Sequence, residues 1–367
     1  MNGKIGTTQA AMLVVTTVLP TAIVILPQII GEYVEQDSVI AIIPPTLAGL
    51  GIAFVIGSVI RFSNGAPFLD WIREKSSPVI SVLLGLLLLL FYLDTSSTIL
   101  REFVNFVKDN VLLKTPVAVI ATLILLISIY MVRKGIEVMA RVNSLVILLF
   151  LFFVPLYLSG LWGEMNIHRL LPLFDHSAAS LLLASLTPST WMSEVAVLLF
   201  LAPYLRSPQK ARLIGYLGLL FVSLMMLFSI ITILMVLGPQ YIKLTTYPGF
   251  SAASIIQIGR FIENLDVLFI SYWVMAIYLK FAIFLFATVE CFKQTFRVSS
   301  SRPFIAALGL VIVMECLYTW KDQAELNLYN KEGRFLVFIL FNAILPLAVL
   351  LVVKLRRSRH KRKECET

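Results

Sequence analysis

Residues 10–31 read AAMLVVTTVLPTAIVILPQIIG, an apolar stretch with a proline near its middle. A helix needs about 20 apolar residues to cross the hydrocarbon core of a bilayer, and the run from Thr8 to Gly31 is long enough. It is expected to span. Pro20 has no N–H and its ring clashes with the carbonyl one turn earlier, so the sequence predicts a kink or break around Leu19-Pro20-Thr21. Main-chain groups freed at mid-membrane depth are tolerated only against protein, water or a ligand, which makes this turn a candidate solute site. A packed proline kink is the plain alternative.

The same composition continues through the chain. Of 367 residues 59% are hydrophobic and 14% charged, with a mean hydropathy of +0.91, the signature of an all-α polytopic membrane protein. Apolar runs use up nearly the whole length, leaving one transmembrane domain over residues 1–354 and a basic tail over 355–367. Lys4 is the single lysine before the first run, which is too long for a signal-peptide core and has no small-residue cleavage site after it, so it reads as a retained span. Cys291, Cys316 and Cys365 are scattered and define neither a disulfide framework nor a metal site. The histidines, His168, His176 and His360, lie in loops or the tail, and no HExxH, GxSxG, Walker-type or CxxC spacing occurs. The reading is therefore not an enzyme, with no cofactor; a polytopic membrane enzyme is the remote alternative. Much of the net charge of +9 falls in KLRRSRHKRK, residues 354–363, directly after the last run. Such a cluster reads as a cytoplasmic anchor on the lipid bilayer and not as a nucleic-acid site.

Ten runs are long enough to cross: 8–31, 38–60, 78–100, 116–132, 142–161, 181–203, 211–237, 264–288, 303–320 and 334–353. With the N-terminus inside, twenty lysines and arginines fall in inward segments and nine in outward ones, which predicts both termini in the cytoplasm. The sixth run repeats the oddity of the first: Thr187-Pro188-Ser189-Thr190 puts a proline and hydroxyls inside an apolar segment, followed by Trp191 and Glu194. A second break is expected there. Two interrupted spans at matching places in two five-span halves, about 8–161 and 181–354, point to a transporter-type site near the midplane.

Intramembrane polar groups narrow the site. Lys280, in SYWVMAIYLKFAIFLFA, lies too deep to snorkel, and a charge at a helix centre costs roughly 2.5–3.5 kcal/mol unless it meets a partner or a water-filled cavity. A structural pairing with a carboxylate such as Glu194 is the bland reading; a functional charge is the sharper one. Asp94, Ser97 and Thr98 share a helix face near the outer end of the third run, which suggests a polar path inward or an ordinary solvated helix end. Glu290 and Glu315 read as interfacial. The outward segment 238–264 is long, and SAASIIQIGRFIE after Tyr247-Pro248-Gly249 has the pattern of a short helix, a lid or a cap.

Several segments, in order, carry a resemblance: TAIVILP in the first span; LREFVNFVKDNVLLKTP; YMVRKGIEVMARVNSL; TYPGFSAASIIQIGRFIENLD; and YWVMAIYLKFAIFLFA with Trp273 and Lys280. Over nearly its whole length the chain resembles the B subunits of bacterial spore germinant receptors, a branch of the amino acid–polyamine–organocation transporter superfamily. The resemblance implies the leucine-transporter fold of two inverted five-span repeats, with the first and sixth helices broken around a solute site. It also implies residence in the spore inner membrane, A-type and C-type germinant receptor subunits as partners, and a small nutrient such as an amino acid as the trigger of germination. Where the family has a small Gly–Ser type step, this chain has Leu19-Pro20-Thr21.

The ligand-binding set expected on these grounds is Leu19, Pro20, Thr21, Tyr92, Thr187, Pro188, Ser189, Trp191, Glu194, Trp273 and Lys280. Half-helix N-termini near Thr21 and Ser189 are expected to donate N–H groups to a ligand carboxylate. Tyr92, Trp191 and Trp273 shape the pocket, and Glu194 and Lys280 set its charge. Some members of the superfamily place a cation between their first and eighth spans, where Lys280 would supply the charge permanently. The rival reading is an amino acid permease coupled to protons, with the same fold and pocket.

Overall fold

The computed structural model describes residues 3–256 and 266–366. In lipid every main-chain N–H and C=O must be satisfied within its own segment, so the apolar runs close into helices. In chain order these are α1 (Thr7–Val34), α2 (Ile43–Phe62), α3 (Phe68–Lys75), α4 (Pro78–Asn110), α5 (Val117–Lys134), α6 (Ile136–Leu161), α7 (Ala178–Ala184), α8 (Leu186–Ser193), α9 (Leu198–Leu201), α10 (Ala211–Leu237), α11 (Pro239–Leu244), α12 (Pro248–Ser254), α13 (Asp266–Phe296), α14 (Phe304–Tyr318), α15 (Gln323–Glu332), α16 (Arg334–Ile339) and α17 (Leu345–Glu366). Local chemistry sets many ends. Ser77 caps α4 by accepting from the Val79 N–H, with Pro78 in the first turn. Gly135, at φ 91°, ends α5 and lets α6 start at once.

Among the described residues eight helical stretches are long and apolar enough to cross a membrane, and the pair α14 and α15, bent by 103°, makes a ninth. The first stretch, Thr7–Phe62, contains a reversal. The Arg212 guanidinium at the start of α10 donates to Ser58 Oγ at 2.8 Å, and Thr46 Oγ1 donates to Ser223 Oγ at 2.9 Å, so α10 runs antiparallel to α2. Gly218 packs on Val14 and Gly31 on Ile242, so α10 and the segment after it run parallel to α1. The 3-10 turn Glu35–Ile42 therefore turns the chain back and α1 and α2 cross separately, so with the bent pair taken as one span the crossings among the described residues number the ten that hydropathy predicts. Close approach has its own requirement: a Cβ on Gly57 would lie 2.6 Å from the Arg212 main-chain N, so only glycine fits at the α2–α10 crossing.

The sixth crossing is assembled from α7, α8, a 3-10 turn at Glu194–Val197 and α9. It runs antiparallel to α1 and is pinned to it at both ends. At one end Ile5 forms a parallel β-bridge with Leu205, its N–H donating to Tyr204 O at 2.9 Å and its carbonyl accepting from Arg206 N at 3.0 Å. At the other, the Asp37 carboxylate, fully buried, accepts from the Phe174 N–H at 2.7 Å and the His176 N–H at 2.9 Å, with His176 Nδ1 at 3.1 Å. Opposed first helices of the two halves are what an inverted repeat requires.

Asp37 lies in the turn between crossings. Burial pushes its carboxyl up, but the donors at His176 and Phe174 outweigh burial and hold it below the ordinary aspartate value of 3.8. A depressed folded-state value means that this pin is fully present above pH 3.8 and is lost only as the pH falls through the lowered value. Hydrogen exchange read against pH is expected to show the Phe174 and His176 amides protected down to pH 3.8 and released below it.

The break expected at Leu19-Pro20-Thr21 is corrected: α1 is helical without a gap through Pro20 and Pro27. The sixth crossing is interrupted, but at Ser185 and at Glu194–Val197; Thr187 to Thr190 lie inside α8. The short helix expected after Tyr247-Pro248-Gly249 is α12, and the end of that pattern, residues 257–263, lies outside the described residues.

Candidate functional site

Proline loosens α1 without breaking it. Pro20 and Pro27 deprive the carbonyls of Thr16 and Ile23 of their helical donors. Gly249, at the start of α12, lies directly on the second of these, since a Cβ there would come within 2.7 Å of Ile23 O. Near the first, the Thr16 hydroxyl donates to Asn143 Oδ1 on α6 at 2.6 Å, while Asn143 Nδ2 is buried without a partner. Between the two prolines, Pro20 O accepts a hydrogen bond from Trp273 Nε1 on α13 at 2.8 Å. The ring of Trp273 is stacked parallel to Phe103 and packed against Phe106, both on α4.

Two turns further along α13, Lys280 Nζ donates to Thr21 Oγ1 at 2.8 Å and stands 2.9 Å from Glu194 Oε2, with both charged side chains 1% exposed. The contact is an ion pair through Oε2, and Oε1 of Glu194 has no hydrogen-bond donor. A buried carboxylate with one undonated oxygen is under-satisfied and is ready to accept from something else. The Lys280 ammonium lies 5.9 Å from the Phe284 ring centroid, and Phe284 in turn lies 6.2 Å from Tyr92, whose ring meets Phe200 of the sixth crossing edge-on at 5.1 Å.

The structure thus brings Pro20, Thr21, Glu194, Trp273 and Lys280 together, with Tyr92 joined through Phe284. Leu19 is buried in the same turn of α1. Pro188, Ser189 and Trp191 are buried in α8, and Thr187 is half-buried. The half-helix N-termini expected at Thr21 and Ser189 are corrected: Thr21 is mid-helix, and Ser189 spends its N–H on Ser185 O at 3.0 Å and its hydroxyl on the same carbonyl at 2.7 Å. The polar path expected along Asp94 is also corrected. Ser97 and Thr98 bond back to the Asp94 carbonyl, and the Tyr329 hydroxyl closes over the carboxylate at 2.8 and 2.9 Å.

Sequence reasoning missed two groups. Asn342 donates to Ser193 Oγ at 2.9 Å, beside Glu194, from a π-helical turn Leu340–Ile344 in the last crossing. Its signal was a lone asparagine in an otherwise apolar run, and π-turns recur at functional sites. The second is a buried network: Arg334 Nη1 donates to Asn330 Oδ1 at 2.6 Å and lies 3.6 Å from Glu102 Oε1, which accepts from Asn330 Nδ2 at 3.2 Å. Arg334 is 2% exposed.

The roomier clefts lie elsewhere. At the Lys4 end of the bundle, cavities of 420 and 760 Å³ share Tyr204, Glu290 and Lys293 in their linings, and neither touches Lys280 or Glu194. Trp273 lines a cavity of about 30 Å³, room for a water molecule or a methyl group. Among the described residues the ion pair is buried, with both side chains 1% exposed.

With this geometry in hand, comparison with known proteins gives the following. A family model described as "Spore germination protein" matches residues 4–324. Spore germination protein KB of Bacillus subtilis (strain 168) is 21% identical over 371 residues, covering 100% of this chain and 98% of that protein. Spore germination protein XB of Bacillus anthracis is 21% identical over 85% of this chain and 87% of its own, and spore germination protein A2 of Bacillus subtilis is 22% identical over 96% of each. Among solved structures, Mhp1, a nucleobase-cation-symport-1 family transporter in a closed conformation with bromovinylhydantoin bound, superposes with a TM-score of 0.60 at 14% identity, covering 90% of this chain and 75% of that one. The fold is therefore of the leucine-transporter type.

Proposed function

We propose, from the premise that this chain belongs to the spore germination protein family, that it is the nutrient-sensing B subunit of a germinant receptor and that its ligand is a zwitterionic amino acid held between Lys280 and Glu194. The observation that carries the reading is the occluded Lys280–Glu194 pair, 2.9 Å apart, with Glu194 Oε1 lacking a donor. An amino acid brings one anion and one cation. Slipped between the two side chains, its carboxylate meets Lys280 and Thr21 Oγ1 and its ammonium meets Glu194, so one buried pair becomes two and no charge is left uncompensated. A ligand with only one charge strands the opposite side chain, and an uncompensated buried charge costs about 3–5 kcal/mol, roughly a hundred-fold or more in affinity.

Insertion also changes the packing. The direct pair joins the sixth crossing to α13, while Thr21 ties Lys280 to α1. A ligand that lengthens this link favours a packing in which α1 and the sixth crossing stand further from α13, and only such differential affinity shifts the equilibrium. In the receptor this shift would pass to A-type and C-type partner subunits in the spore inner membrane, with both termini of this chain in the cytoplasm.

The test is a binding screen on the purified protein, read by the fluorescence of the buried Trp191 and Trp273. An amino acid is expected to bind, with its decarboxylated amine and its deaminated acid weaker by a hundred-fold or more. Equal binding of either analogue would overturn the reading. Ligand-dependent ion release that requires the partner subunits supports a receptor; labelled-solute uptake by this chain alone in vesicles supports a permease instead.

A further inference from the structure

The last crossing buries Arg334, Phe338 and Asn342 at steps of four, and of these Asn342 lies deepest in an apolar run, FLVFILFNAILPLAVLLVV. At about 3.6 residues per turn, steps of four drift by about 40° each, so a straight α-helix would carry Asn342 about 80° off the face that Arg334 sets. The π-turn Leu340–Ile344, closed by wider bonds, takes back part of that drift and keeps Asn342 against the sixth crossing. Such turns are rare and gather at functional sites.

The contact that the turn secures is directional. A serine hydroxyl has one proton, and Ser193 spends it on Thr190 O at 2.6 Å, so the 2.9 Å bond from Asn342 Nδ2 falls on a lone pair of Ser193 Oγ. Asn342 and Ser193 are both buried, and neither link competes with the other. Ser193 closes α8, and Glu194 opens the 3-10 turn that runs to Val197. At that junction the helical ladder changes to bonds of poorer geometry, which hold the main chain less firmly. Glu194 itself reaches Lys280 through Oε2 at 2.9 Å, and its Oε1 has no donor to steer it. The direction of the carboxylate therefore depends on how well the residue before it is fixed.

We infer that Asn342 is a positioning residue for ligand recognition: by pinning Ser193 it holds Glu194 where the carboxylate meets the ammonium of the ligand. The inference rests on the Lys280–Glu194 clamp proposed above. It makes a split that a packing role does not, because Glu194 faces one end of the ligand and Lys280 the other. The purified parent and Asn342→Leu are titrated with the standard amino acids and, for each that binds, with the amine lacking its carboxylate and the acid lacking its ammonium. Leucine replaces the amide by carbon and leaves the Ser193 proton on Thr190 O. The variant is expected to bind the amino acid and the amine about tenfold more weakly and the acid unchanged. Ser193→Ala removes the acceptor from the other side and carries the same test where the leucine variant fails to fold; the double variant is expected to lose no more than either single one. No change in either single variant, or an equal loss for amino acid, amine and acid, overturns the positioning role while the clamp stands. A parent that prefers no amino acid to its two analogues overturns the clamp, and this role with it.

Discussion

Lys280→Met is expected to abolish the nutrient response of spores carrying it, shifting the concentration needed by a hundred-fold or more. The ammonium is the only cation within reach of the Glu194 carboxylate that the described contacts provide, and it also donates to Thr21 Oγ1. Methionine keeps the length of the side chain but leaves Glu194 buried, charged and alone, at a cost of about 3–5 kcal/mol. Loss of folding would mimic loss of binding, so the double variant Lys280→Met with Glu194→Leu is the control. Removing both charges for apolar groups is often close to neutral for stability, so the double variant is expected to recover the melting temperature of the parent and still fail to respond. A double variant that responds normally would show that the pair holds the fold and reads no ligand.

Arg334→Met carries the second large effect, on stability. Its guanidinium is the hub between α16, Asn330 of α15 and Glu102 of α4, with the Arg334 and Glu102 side chains 2% and 3% exposed. Taking it away strands Glu102 and Asn330 together, again about 3–5 kcal/mol by the same physics. Thermal unfolding in detergent is expected to shift markedly down, and limited proteolysis to cut earlier in the stretch joining α14 to α16. Pairing it with Glu102→Leu is expected to return most of the loss. Unchanged melting of the single variant would mean that this network is solvated in the membrane-embedded protein.

Much of the fold could be read from the residues, for a reason peculiar to bilayers: a segment that must satisfy its own backbone and face hydrocarbon has to be apolar for its whole crossing, so hydropathy alone counts the crossings. Lys280 was legible for the same reason, as a charge with no short way out. The state of Pro20 was not. Whether a proline in a membrane helix becomes a gap depends on what packs around it, and here Trp273, donating to Pro20 O, and Gly249, lying against the Ile23 carbonyl, hold that part of α1 from residues more than two hundred positions away. In the sixth crossing Ser189 and Thr190 turn their hydroxyls back onto the carbonyls of Ser185 and Leu186, so the polar groups that suggested a break are satisfied inside α8, and the irregularity moves on to Glu194. The link between Glu102 and Arg334 joins residues with no local signature of one another; each taken alone resembles an ordinary charge at a helix end.

The bridge at Ile5 and Leu205 and the cradle around Asp37 fasten α1 and the sixth crossing to each other near both membrane faces. Two rods stapled at their extremities cannot splay like a hinge; they can only bow, twist or swing as one stiff spindle. Whatever pushes them away from α13 is therefore felt at the two surfaces simultaneously, and a signal generated at mid-depth needs no relay to reach either side.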